Sequence, residues 1–140
     1  MEDISKYIGI PHIFAEWSLE GCDCVGLVRR FYVDHHWKPD CDDGEFAEDW
    51  YITDPRKMIR YLRKNFNKVK DIADLSFGDV CYFLIGGEGH CGIYLGYGKL
   101  LTTFPSTAPQ WNNTVLPDVS MILHRDVWEQ GYRCGFHRKE

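Results

Sequence analysis

Apolar residues recur at helical spacing in two stretches of the chain and at strand spacing in its second half. In the first stretch, Leu27, Phe31 and His35 fall on one helical stripe with Cys24 and Val28 beside it, while Arg29 and Arg30 face away. Gly21 supplies a turn before this helix, and Asp23 is placed to cap it by accepting from the first backbone N–H groups. In the second stretch, Met58, Ile59, Leu62 and Phe66 make the buried stripe of a helix predicted over 54–66. Asp54 is its natural N-cap, and Pro55 sits where a missing N–H costs nothing. Arg56, Lys57, Arg60, Arg63 and Lys64 form a basic face that is either solvated or meets an anionic partner. From Asp74 onward the period shortens. Val80, Tyr82 and Leu84 alternate against Cys81 and Phe83 between Gly78 and Gly86-Gly87, Ile93 and Leu95 mark the next strand, and Lys99 to Thr103 a third. Residues 121–123 and 133–136 close the sheet. Residues 35–53 and 104–117 lack a period and read as loops, the second of them holding Pro105, Pro109 and Pro117. No repeat or linker interrupts the pattern, so the expectation is one α+β domain over 1–140, with helices packed on an antiparallel sheet.

Composition narrows the function more than the fold. A chain of 140 residues with 44% hydrophobic and 15% aromatic positions can bury a core without metal or disulfide staples. A net charge of −5 argues against a nucleic-acid binder or an anionic-membrane binder, which would need a basic stripe. No apolar run reaches the length of a membrane span. The acidic opening Met1-Glu2-Asp3 is followed by no hydrophobic segment, so synthesis in the cytoplasm without a signal peptide is expected. A disulfide scaffold for the six cysteines would need an oxidising compartment. A zinc site drawn from Cys22, Cys24, His35, His36 and Cys41 lacks the usual knuckle spacing, and the Asp42-Asp43 region lacks calcium-loop spacing. Neither a metal nor a cofactor is therefore expected. Cys81 and Cys91 read as small core residues.

The chemistry centres on Cys24 and His90. A cysteine on the first turn of a helix feels the positive end of the helix dipole and unpaired N–H groups, which favour thiolate over thiol. His90 opens a strand after Gly89, and a thiol facing an imidazole is an arrangement used for acyl transfer. In that arrangement the thiolate attacks an amide carbonyl, the imidazole moves the proton, and the backbone N–H of Cys24 is an oxyanion donor.

The segments Asp23-Cys24-Val25-Gly26-Leu27-Val28, Gly78-Asp79 and His90-Cys91-Gly92-Ile93-Tyr94-Leu95-Gly96 together resemble the marks of the NlpC-type cell-wall cysteine peptidases. That family is papain-like and carries its nucleophile on an N-terminal helix packed on an antiparallel sheet. The resemblance implies Cys24 as nucleophile, His90 as base and Thr102 as the imidazole orienter, at a position where the family has His, Asn or Gln. It also implies substrate contacts from three residues. Asp23 would read an amino group, His12 stands in the place of a tyrosine that lines the site, and Val25 stands where the family has serine. Gly9-Ile10-Pro11-His12 matches the family's approach segment, with Ala15-Glu16 in place of a glycine pair. The implied substrate is a peptidoglycan stem peptide, cut at a D-γ-glutamyl to diaminopimelate type of bond. A short, signal-free branch associated with phage tails shares the Gly21-Cys22-Asp23-Cys24-Val25-Gly26-Leu27-Val28-Arg29 style of helix and a closing Gly131-Tyr132-Arg133-Cys134. That likeness implies tail-tip proteins as partners, a place in the virion tail and delivery to the periplasm and wall. The alternatives are a structural tail-tip subunit with little or no turnover, to which the Thr102 and Val25 departures point, and an intracellular amidase or acyltransferase.

Overall fold

The structure, a computed structural model, describes residues 2–42, 50, 54–85, 87–105 and 118–139. After a short 3-10 turn at Ser5–Tyr7, β1 (Trp17–Ser18) and β2 (Gly21–Cys22) form a small hairpin that leads directly into helix α1 (Cys24–Asp34). Helix α2 (Lys57–Asn65) runs into β3 (Phe66–Val69), and β4 (Val80–Ile85), β5 (Glu88–Gly96), β6 (Lys99–Thr102) and β7 (Met121–Leu123) follow. A short helix α3 (Arg125–Trp128) precedes the last strand, β8 (Tyr132–Arg138). Six strands make one antiparallel sheet in the order β3-β8-β4-β5-β6-β7. This is the expected α+β papain-like fold, with the cysteine helix packed on the sheet.

Both faces of the sheet are covered, and this decides the burial pattern of its central strands. On one face, Leu27, Val28 and Phe31 of α1 and Ile59 and Leu62 of α2 pack against Val80, Ile93, Leu101 and Phe136. On the other, Phe83, Ile85, Leu100, Phe104 and Leu123 surround Trp128, whose Nε1 donates to the Gly98 carbonyl at 3.1 Å. Each such fully buried large side chain contributes roughly 1.5–3 kcal/mol.

Glycine at position 26 sets how α1 docks. A Cβ there would stand 1.8 Å from the carbonyl oxygen of Glu16, so the helix lies directly on the backbone entering the β1–β2 hairpin. The Gly78-Asp79 pair is likewise architectural. Asp79 is buried, accepts from the Ser76 N–H at 2.8 Å and meets His137 Nδ1 at 2.5 Å, which ties the start of β4 to β8.

Several boundaries differ from the pattern-based reading. The second helix begins at Lys57, and the Asp54 side chain does not cap it. Its carboxylate is taken by the Arg60 guanidinium, at 2.8 and 2.5 Å, while its carbonyl receives the Lys57 N–H. Phe66 is extended and opens β3, a strand hidden because its apolar side chain continues the stripe of α2. β5 starts at Glu88, which makes His90 its third residue. Of the expected loops, residues 43–49, 51–53 and 106–117 lie outside the described residues.

Replacing Gly26 with alanine forces backbone apart and is expected to destabilise the fold by about 1–3 kcal/mol, as overpacking does. A urea melt against the wild type reads it, and an unchanged midpoint would contradict the docking described.

Candidate active site

Asp23 fixes the start of α1 and its neighbours together. Its carboxylate is buried and accepts three hydrogen bonds, from the N–H groups of Gly26 (2.7 Å) and Ala15 (2.8 Å) and from the Trp50 indole (2.8 Å). Ala15 takes the left-handed backbone region, φ +66°, where the resemblance led us to expect glycine, and the bond to Asp23 holds it there. The segment before it is clamped from both sides. Gly9 N–H and His12 N–H donate to the carbonyls of Ser120 and Asp118, both at 2.8 Å, and Cys22 N–H donates to the Pro11 carbonyl at 3.1 Å. The result is one cleft of about 800 Å³ whose lining includes His12, Asp23, Cys24, Trp50, His90 and Thr103.

Within it Cys24, the first residue of α1, meets two groups of β5. The Cys91 thiol donates a hydrogen bond to the Cys24 sulfur, and this bond, followed by hydrogen bonding and charge from His90, holds Cys24 well below the usual thiol range against the opposing effect of burial. The same bond, together with burial, pushes Cys91 well up. Burial raises the remaining four thiols, Cys22 to about 12, so Cys24 alone of the six is lowered. Cys91 is a buried core residue, as expected, and its contact with Cys24 is a second role that the sequence reading did not assign. Alternation outward from Ile93 was the available signal, because it turns Cys91 toward the first turn of α1.

His90 is buried, and its ring packs edge-on to Phe104 at 4.8 Å between centroids, with Phe83 at 6.0 Å. Its Nε2 has no hydrogen-bond partner among the described residues, which leaves Nδ1 as the nitrogen that meets the thiol. Thr102 does not supply the polar orienter expected of it. Its hydroxyl instead donates to the Cys91 carbonyl of the neighbouring strand β5 at 2.8 Å. Thr103, the next residue, lines the cleft with a buried hydroxyl that also lacks a partner. Among the described residues the imidazole is therefore held by aromatic packing rather than by a polar side chain.

The other expected contacts divide. His12 lines the cleft close enough to feel the charges of both Cys24 and His90, and burial holds it below the ordinary histidine range. Asp23 lines the cleft too, although its carboxylate is engaged by its three donors. Val25 does not reach the cleft: one helical step beyond Cys24, it points into the core. The arrangement provides a lowered thiol, an imidazole in contact with it and helix-start N–H groups able to receive an oxyanion.

Residues 9–114 match the model of the NlpC/P60 family. Among solved structures, the NlpC/p60 domain of the peptidoglycan hydrolase SagA superposes with a TM-score of 0.57 at 18% identity, covering 94% of this chain and 90% of that one. NlpC2 from Trichomonas vaginalis gives 0.55 at 16% identity, over 96% of this chain and 42% of that one. The peptidoglycan hydrolase RipB from Mycobacterium tuberculosis gives 0.55 at 19%, over 96% and 59%. The chain thus spans nearly all of the SagA domain but less than two thirds of the other two. At these identities the likeness is one of fold. No curated protein matches the chain.

Asp23→Asn places an amide nitrogen near donors that need an acceptor, and is expected to cost about 1–3 kcal/mol at neutral pH. Burial, then the Cys24 charge, raises the folded-state pKa of Asp23 from 3.8 to about 6. Its protonation therefore adds stability that is fully present below 3.8 and is lost as pH rises through about 6. The gap between wild type and variant accordingly widens on acidification. Denaturant melts across that range measure it, and a gap that stays constant or narrows would contradict the assignment.

Proposed function

The chain belongs to the NlpC/P60 family, and on that premise we propose that it is a cysteine peptidase acting on peptidoglycan stem peptides. The single observation that carries the reading is the pairing of a lowered Cys24 thiol with His90 inside an open cleft. Attack by the Cys24 thiolate on an amide carbonyl forms a tetrahedral oxyanion beside the helix-start N–H groups. His90 then delivers a proton to the departing amine, and water releases the acyl group from sulfur. The bond we assign is of the D-γ-glutamyl to diaminopimelate type. The sequence pattern around Cys24 and the closing Gly131-Tyr132-Arg133 support a tail-tip setting, in which the domain opens the wall locally during genome entry.

A second reading has its own observation. The buried Nε2 of His90, without a partner among the described residues, and the diversion of Thr102 to the Cys91 carbonyl favour a tail-tip subunit that keeps the fold with weak turnover or none. Digestion of purified peptidoglycan separates the two. New stem-peptide fragments from the wild type and none from Cys24→Ala, read by mass spectrometry, are the expected result. Identical product profiles from both proteins would remove the peptidase reading.

A further inference from the structure

Among the described residues, four cations line the cleft that holds Cys24, and they come from separate elements. Arg56 precedes α2, Arg63 lies in its last turn, Lys68 is on β3 and Arg133 on β8. All four residues are exposed, and among the described residues none of their side chains forms an ion pair. Among the described residues, the carboxylates on the same cleft are Asp23, engaged by its three donors, and Glu88. Convergence of like charge is a self-repulsive arrangement, and it occurs here on a chain whose net charge is −5.

The backbone aims one of the four deliberately. Tyr82 of β4 pairs with Cys134 and Phe83 with Tyr132, so Arg133 is the extra, unpaired residue of a β-bulge. Bulges redirect a side chain out of the regular alternation. Arg133 heads into the cleft beside Cys134 and Tyr82 instead of pairing across the ladder.

Sheet order gives the reach. From β5, which carries His90, the strands run β4, β8, β3. At about 4.8 Å per strand, Arg133 lies on a strand about 10 Å from that of His90 and Lys68 on one about 14 Å away. An extended peptide covers that span in roughly three to four residues at about 3.3 Å each.

Resting on the reading of the cleft as a peptidase site, we propose that Arg56, Arg63, Lys68 and Arg133 form an anion subsite. It receives a negatively charged group of the substrate three to four residues from the scissile amide. The group's chemistry is that of a carboxylate or a phosphate, the first supplied by a peptide and the second by an anionic wall polymer.

The test reads binding without turnover, in the Cys24→Ala chain, by calorimetry. The probes are a synthetic stem pentapeptide ending in a free carboxylate, the same peptide ending in a carboxamide, and a glycerol phosphate oligomer. The carboxylate peptide is expected to bind about tenfold tighter than the carboxamide, as a charge-assisted contact provides. Adding Lys68→Gln and Arg133→Gln, both at exposed positions, is expected to erase most of that preference without moving the melting temperature. Tight binding of the oligomer alone, lost in the same variant, supports the subsite and assigns it a phosphate. Equal affinity for the two peptides with no binding of the oligomer, or a preference that survives both substitutions, overturns it. Failure of the peptidase reading registers separately, as absence of wall cleavage by the wild type while the carboxylate preference stands.

Discussion

The buried carboxylate of Asp23 is the point on which the site depends. Its three donors belong to three parts of the chain: the first turn of α1, the approach segment at Ala15 and the indole of Trp50. One side chain thereby sets where the helix starts, holds Ala15 at positive φ and closes one wall of the cleft. Position 26 completes the constraint, since only a glycine lets α1 lie on the Glu16 carbonyl. With the helix start fixed, Cys24 has no choice but to face β5.

What meets it there is a distribution of roles across two adjacent residues. His90 supplies the proton-transferring ring, and Cys91, next in the strand, supplies a thiol donor to the Cys24 sulfur. The hydrogen bond and the nearby imidazole outweigh burial, which on its own drives a thiol pKa up, as it does for Cys22, Cys41 and Cys81. Orientation of the imidazole comes from the rings of Phe104 and Phe83. Aromatic packing thereby fixes the place of the ring beside the Cys24 thiol.

Much of this was legible in the chain. The stripe of α1, its Asp23 cap and the ordered Gly78-Asp79 and His90 to Gly96 segments led to the fold, because each is a local signal that tertiary packing reinforces. Phe66 and Thr102 were misread for a common reason. Phe66 continues a helical period while its backbone is already extended, and Thr102 stands at the orienter's position while its hydroxyl folds back to its neighbouring strand. Spacing along the chain specifies where a residue sits, and the partners available there decide what its polar atoms do. Arg133 was visible as part of a closing motif, but its direction comes from a bulge between β4 and β8, a register feature that composition does not encode.

The central claim is that the fold lowers the Cys24 thiol well below the ordinary thiol range. The rate of Cys24 alkylation by iodoacetamide, followed by peptide mass spectrometry from acid to alkaline pH, tests this most directly. A rate that holds its plateau well below the ordinary thiol value of about 8.5 is the predicted result. A rate that falls about tenfold for each pH unit below that value would show an ordinary thiol and contradict the account.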